Sequence, residues 1–266
     1  MRMLDLFSGI GGFAYAAKEV FGTDLEMVGF CDIDEYCFKV LGKNFPGVPI
    51  FNDVQKLTGE SLGRVDMICG GFPCQDISTA GKGLGIEKGK RSGLWSEFHR
   101  LIGELRPRFS IIENVSALTS RGLNIVLRDL AEIGYDAEWQ CIGAYEVGAR
   151  HKRDRIWIVA YPSSLRPCRE EANRELEWER PSIYSVKDRD RWGEGSLLES
   201  RLGGMVYGIP NWIYETWREE PKGIPRQSKS TNKDKRKERM IALGNSIVPQ
   251  IPMLIMRRIK ELTEQE

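Results

Sequence analysis

The chain has 266 residues, an almost even charge balance (39 Lys and Arg against 38 Asp and Glu) and only two histidines. That length suits one sizeable α/β domain with at most a small second lobe, and the balance excludes a global polycation, so any surface for an acidic partner must be local. Six cysteines without a C-x-x-C pair argue against a metal site and for a reduced protein, and the absence of a signal-peptide core or a long apolar run leads to the expectation of a soluble, cytoplasmic chain.

Short apolar runs alternate with helical patterns through the first 160 residues. Strands are expected at Met3–Leu6, Glu26–Phe30, Val65–Cys69, Phe109–Ile112, Tyr135–Cys141 and Arg155–Ala160. The glycine-rich turn from Asp5 to Phe13 joins the first strand to the first helix; its glycines let backbone approach a ligand, and the helix N-terminus offers free N–H groups. Cys31-Asp32-Ile33-Asp34 ends the second strand, where a carboxylate can accept hydrogen bonds from ribose hydroxyls, and Asn52-Asp53-Val54 closes a third. A dinucleotide fold is the rival reading, but the spacing Gly9-x-Gly11-Gly12 departs from G-x-G-x-x-G. Taken singly, Asp32, Asp34 and Asp53 read as solvated loop residues. As a set on one rim they suit a ligand with hydroxyls, an amine and a positive charge.

Gly70-Gly71-Phe72-Pro73-Cys74-Gln75 follows the strand Val65–Cys69 and sets Cys74 on a tight turn at the strand's carboxyl end, where open α/β sheets place reacting groups. By itself Cys74 reads as a small buried hydrophobe; on such a turn it reads as a presented thiol. Leu94, Phe98, Leu101, Ile102 and Leu105 then recur at helical spacing, as do Leu123, Val126, Leu127, Leu130 and Ile133, with Gly134 as a C-terminal cap. Glu113, after the strand Phe109–Ile112, is either a proton donor with a raised pKa or a helix-start acid favoured by the dipole. In His151-Lys152-Arg153-Asp154-Arg155, strand alternation puts Arg153 and Arg155 on one face. The pair reads either as two guanidiniums holding a phosphate or carbonyl oxygen or as a solvated strand end.

This alternation argues for a parallel, doubly wound sheet. After Tyr161-Pro162 residues 163–200 carry mixed charge and isolated tryptophans, and residues 226–239 are strongly basic. Ile247, Ile251, Leu254, Ile255 and Ile259 restore a helical face, with Pro249 and Pro252 near its start. The expected organisation is a large α/β domain over 1–161, a short irregular lobe over 162–238, and a C-terminal segment over 239–266 that returns to the first domain.

In chain order these motifs resemble those of the DNA cytosine-5 methyltransferases. DLFSGIGGF is similar to the family's first S-adenosyl-L-methionine (AdoMet) motif, GGFPCQ to its nucleophile motif, ENV to its glutamate motif, RHKRDR to its arginine motif, and ALGNSIVP (residues 242–249) to its last. The resemblance implies a Rossmann-like, doubly wound α/β AdoMet-dependent methyltransferase sheet with a small target-recognition lobe. It implies transfer of a methyl group from AdoMet to C5 of cytosine in double-stranded DNA, through a bond between Cys74 and C6 of a flipped base. Glu113 would contact and protonate N3, Arg155 would hold O2, and Arg153 would support the site. Phe7, Gly9, Ile10, Gly12, Asp32, Ile33, Asp53, Val54, Gly71, Pro73, Leu94, Asn245 and Ser246 would line the AdoMet site.

Gln75, Ser78, Lys82, Lys88, Lys90 and Arg91 would meet DNA from a glycine-rich basic segment, which on composition alone reads equally as a plain surface loop. The resemblance further implies a monomer that works alone or beside a restriction endonuclease. Two departures stand out. His151 replaces the family's usual glutamine, and no clear version of the motif that organises the recognition lobe is present. Residues 201–205 (RLGGM) and 208–212 (GIPNW) stand in its place, as in compact bacterial or viral members. The basic run 226–239 is then a DNA-backbone contact or a solvated linker. The same chemistry on RNA is a second reading, although the Cys-Phe-Thr hallmark of the tRNA-methylating branch is missing; a catalytically silent DNA-binding adaptor is a third.

Overall fold

Side chains in a strand alternate between faces, so each apolar run commits its residues to two separate cores. The computed structural model describes residues 1–73, 93–147, 149, 151–165, 237–238 and 241–264. Among these, seven strands form one sheet: β1 (Arg2–Leu6), β2 (Glu26–Cys31), β3 (Ile50–Phe51), β4 (Met67–Gly70), β5 (Phe109–Val115), β6 (Tyr135–Gly143) and β7 (Asp154–Pro162), in the order β3-β2-β1-β4-β5-β7-β6. The helices are α1 (Gly12–Phe21), α2 (Glu35–Asn44), α3 (Gly59–Leu62), α4 (Gly93–Leu105), α5 (Leu118–Arg121), α6 (Leu123–Glu132) and α7 (Gln250–Glu264).

Leu4, Leu6, Ile68, Ile112, Ile156 and Ile158 pack on one face with Phe98, Leu101 and Ile102 of α4 and Val126 and Leu130 of α6. Met3, Met67, Cys69, Ile111, Trp157 and Val159 face the other way, onto Phe13 and Ala16 of α1 and Ile251, Met256 and Ile259 of α7. The chain order of short strands and helices is therefore a doubly wound α/β sheet, with one correction to the all-parallel expectation. β1 to β5 pair in parallel, but β7 runs antiparallel to both β5 and β6. The link over 144–153 is shorter than the roughly dozen residues a parallel crossover needs, so the chain can only double back.

Smaller differences have local causes. β4 begins at Met67 rather than Val65 and runs through Gly70, where an added Cβ would lie 2.4 Å from the Leu6 carbonyl oxygen. Only glycine lets β4 pass its neighbour there. Ile247 does not belong to the C-terminal helix face: it precedes α7, and its side chain lies where a Cβ on Gly12 would come within 2.6 Å. Ile251, Ile255 and Ile259 do form the buried face, joined by Met253 and Met256. The Lys260 ammonium donates to the Val20 carbonyl at 3.2 Å, a second tie between α7 and α1.

Arg100, which the sequence pattern did not single out, fastens the segment after β3 to α4. Its guanidinium donates to the carbonyls of Val54 (3.2 Å) and Leu57 (3.0 Å) while pairing with Glu97 (2.8 Å) and Glu104 (2.7 Å). Glu104 in turn accepts from the Gly59 amide at 2.8 Å. The lobe expected over 162–238 lies outside the described residues beyond Leu165, except for the exposed Lys237 and Glu238. No helix among the described residues is long and apolar enough to cross a membrane.

Met256 is fully buried between α7 and the sheet. Met256→Ala should destabilise the protein by about 2–5 kcal/mol, as for other buried large-to-small changes, seen as a lower urea midpoint with an unchanged slope. An unmoved midpoint would mean that α7 is not part of the cooperative unit.

Candidate active site

β5 and β7 pair with Glu113 opposite Trp157 and Val115 opposite Arg155. In an antiparallel pair this makes Glu113 and Arg155 diagonal neighbours on one face, within reach of long side chains. Arg155 Nε lies 3.0 Å from Glu113 Oε1, and the carboxylate is only 12% exposed. Burial pushes the Glu113 carboxyl above its usual range; the Arg155 and then the Arg153 charge oppose that shift. The sequence alternative of a helix-start acid does not apply, since Glu113 sits inside β5.

The turn after β4 reaches the same place. A Cβ on Gly71 would lie 2.8 Å from Glu113 Oε2, so the glycine allows the turn to press against the carboxylate. Asn114 secures the turn from below by donating its side-chain amide to the Phe72 carbonyl at 3.2 Å. This role was missed in the sequence, although Asn114 stands in the same short motif. Pro73 is exposed at the end of the described turn. Cys74, Gln75, Ser78, Lys82, Lys88, Lys90 and Arg91 lie outside the described residues. The described cysteines are unpromising nucleophiles: burial, with help from nearby aspartates, pushes the Cys31 and Cys37 thiols up to about 12 and raises Cys69 and Cys141 as well.

Arg153 departs from the expected arrangement. It precedes β7 and has a left-handed backbone (φ 28°), so simple alternation with Arg155 does not extend to it. Its guanidinium donates instead to the carbonyls of Gly244 (2.8 Å) and Ser246 (2.7 Å). Arg155 alone holds the ion pair with Glu113.

The glycine-rich turn forms the neighbouring rim. Phe7 (φ 53°), Gly9 (φ 54°) and Gly11 (φ 87°) are all left-handed, and the turn is closed by the Ser8 amide donating to the Cys31 carbonyl at 3.0 Å and the Gly11 amide to the Ser8 carbonyl at 2.9 Å. Asp32 braces the turn, accepting from the Gly9 amide at 2.7 Å through one oxygen and from the Asp34 amide at 2.9 Å through the other. Asp53 caps the helical turn Val54–Lys56 through the Gln55 amide at 3.0 Å. Ile33 is 88% exposed, an apolar side chain standing between carboxylates at the strand end. Ile10 and Val54 do not line the rim with their side chains: both are buried, Ile10 beside Cys37, Val40 and Ala242. Gly12 is covered by Ile247, Leu94 packs partly against the core, Asn245 is exposed and Ser246 is buried.

Asp5 was read only as part of the glycine motif, yet it is the deepest charge here. It is fully buried, neither oxygen has a hydrogen-bond partner, and it lies opposite Cys69 in the sheet. Burial and then Asp32 push its carboxyl well above the ordinary range; the Ala14 amide in the first turn of α1 pulls the other way. No group of three or more potential metal ligands occurs among the described residues.

Residues 1–196 match the family model of the C-5 cytosine-specific DNA methylases. The chain is 34% identical over 168 residues to the type II methyltransferase M.CviJI of Paramecium bursaria Chlorella virus IL3A, covering 62% of this chain and 44% of that one. It is 31% identical over 219 residues to the type II methyltransferase M.DsaV of Dactylococcopsis salina, covering 81% of this chain and 58% of that one. Among solved structures, DNMT2 of Spodoptera frugiperda matches with a TM-score of 0.52 and 28% identity, over 62% of this chain and 51% of that one. The chain thus spans about half the length of these relatives.

The raised Asp5 pKa has a measurable consequence. The folded state holds this proton more tightly than the unfolded chain, so the stabilisation is complete below the unfolded value near ~4 and is lost as pH rises through the folded value. In urea titrations wild type should lose stability relative to Asp5→Asn as pH rises from about 4 towards neutrality. Parallel curves for the two proteins would rule out a buried, titrating Asp5.

Proposed function

Since the chain belongs to the C-5 cytosine-specific DNA methylases, we propose that it transfers a methyl group from AdoMet to C5 of cytosine in double-stranded DNA. The observation that carries this reading is the contact of the Gly71 turn with Glu113, because it brings the approach to Cys74 against a buried carboxyl already paired with Arg155. A carboxyl and a cation at this sheet edge, with Cys74 next in the chain after Pro73, suit addition to a pyrimidine ring. The neighbouring rim fits the donor: exposed Ile33 for an apolar ring, Asp32 and Asp53 for hydroxyls and positive charge, and left-handed glycines for close backbone approach.

When bound there, AdoMet supplies an electrophilic methyl group on sulfonium. Cys74 as thiolate adds to C6 of the cytosine, which moves electron density onto C5 and N3. Glu113, whose hold on a proton burial strengthens, gives a proton to N3 and offsets the developing charge. Arg155 orients that carboxyl and donates an N–H to the base's O2. C5 then takes the methyl group, solvent water removes the C5 proton as the C6–S bond breaks and restores the thiolate, and N3 hands its proton back to Glu113. These groups reach the ring only if the base leaves the duplex, at a cost of about a few kcal/mol that pocket contacts offset. On this reading Gln75, Ser78, Lys82, Lys88, Lys90 and Arg91 meet the DNA, the segment 162–238 supplies target recognition, and the segment 239–266 completes the cofactor site.

Labelled methyl transfer from AdoMet to duplex DNA, with tRNA offered in parallel, tests the substrate. Cys74→Ser should abolish transfer while AdoMet still binds. A duplex with 5-fluorocytosine in a methylated site should become covalently attached at Cys74, because fluorine cannot leave as the proton does; no attachment in the presence of AdoMet would sink the mechanism. Glu113→Gln should lower the rate by roughly a hundred- to ten-thousandfold, the usual range for a lost general acid. A rate within threefold of wild type would remove Glu113 from the chemistry.

A further inference from the structure

Arg153 does not hold the Glu113 carboxylate; both of its terminal nitrogens donate to backbone. Nη1 takes the carbonyl of Gly244 at 2.8 Å and Nη2 that of Ser246 at 2.7 Å, so the two bonds straddle Asn245. The straddled residue is exposed, whereas Ser246 beside it is buried and closes its own turn by donating its hydroxyl to the Leu243 carbonyl at 2.9 Å. One residue further, Ile247 lies against Gly12 at the start of α1, within the glycine-rich rim. Two residues along from Arg153 in the other direction, Arg155 holds Glu113.

A guanidinium is suited to this because its forked N–H groups are held in one plane, so fixing one carbonyl fixes the distance and angle to the other. A lysine would reach one oxygen at a time. The left-handed backbone of Arg153 (φ 28°) is a conformation that a bulky L residue adopts only when its surroundings require it. The chain accepts that cost at the point where the side chain leaves the strand direction and turns to the C-terminal segment.

We propose that Arg153 is a positioning residue that acts through Asn245: by holding the carbonyls on both sides, it sets that amide against the cofactor rim and ties the rim to the strand that carries Arg155. The idea rests on the reading that this rim takes AdoMet, and it goes beyond a general supporting role for the arginine by naming the residue through which it works. The consequence is that loss of Arg153 weakens cofactor binding first, and does so only while Asn245 is present.

A double-mutant cycle on the full chain, read by AdoMet affinity in calorimetry, tests this directly. Arg153→Met and Asn245→Ala should each weaken AdoMet binding by about tenfold, on the scale of hydrogen bonds to a charged group, and the double variant should be no weaker than Asn245→Ala alone. Arg153→Lys, which keeps the charge and one donor, should fall between wild type and Arg153→Met. In steady-state assays of the Lys variant the KM for AdoMet should rise while the KM for DNA stays within about twofold. Additive losses in the cycle, or a rise confined to the KM for DNA, would overturn the proposal while leaving AdoMet binding by wild type intact. Wild type that binds no AdoMet would instead overturn the functional reading and this inference with it. Should Arg153→Met not fold, the same cycle run with Arg153→Lys decides between the coupled and additive outcomes.

Discussion

The contact between Glu113 and Arg155 is the constraint on which the rest of this site depends. It exists because β7 is laid antiparallel against β5 in a register that makes the two residues diagonal neighbours on one face. A shift of one residue in that register would send Arg155 to the opposite face and leave a carboxylate buried without its cation. Such a state is costly, since a buried charge stripped of its partner loses several kcal/mol of compensation. The hairpin of β6 and β7 is therefore more than an edge to the sheet. It completes the electrostatics of the strand beside it.

Charge around this edge is balanced locally rather than by solvent. Glu113 feels burial in one direction and two arginines in the other, and burial outweighs them, leaving its carboxyl above the usual range. Arg153 has its own pKa lowered by burial and by Arg155, with Glu113 opposing. Its terminal nitrogens nevertheless have firm acceptors in the Gly244 and Ser246 carbonyls. Asp5 lacks such compensation and sits beneath the glycine-rich turn with no hydrogen-bond partner. Its proximity to the first turn of α1, through the Ala14 amide, places a carboxyl where a helix N-terminus otherwise has no acidic side chain.

The same edge is assembled from three distant parts of the chain. The turn after β4 is held by Asn114 of β5, the segment carrying Asp53 is held by Arg100 of α4, and the segment around Asn245 is held by Arg153 before β7. In each case a side chain binds backbone carbonyls of a segment distant in the chain. Loops fixed in this way keep their peptide groups satisfied while leaving residues such as Pro73 and Asn245 exposed.

Strands, helices and their apolar faces were legible in the amino-acid order because burial imposes periods of two and 3.6, and those periods survive without any knowledge of neighbours. Phe98, Leu101, Ile102 and Ile255 were identified as core in this way and are buried. Glu113, Asp32 and Asp53 were legible as candidates because they stand at the carboxyl ends of expected strands, and Arg155 because it opens one beside a second arginine. The order of the strands was not, and neither was the reversed direction of β7, the destination of Arg153, the bracing by Arg100 or the depth of Asp5. Each of these depends on which segments meet across tens to more than ninety residues, as from Arg153 to Gly244. Local periodicity carries no record of such meetings; register, loop length and the need to satisfy buried polar groups decide them only once the chain has folded.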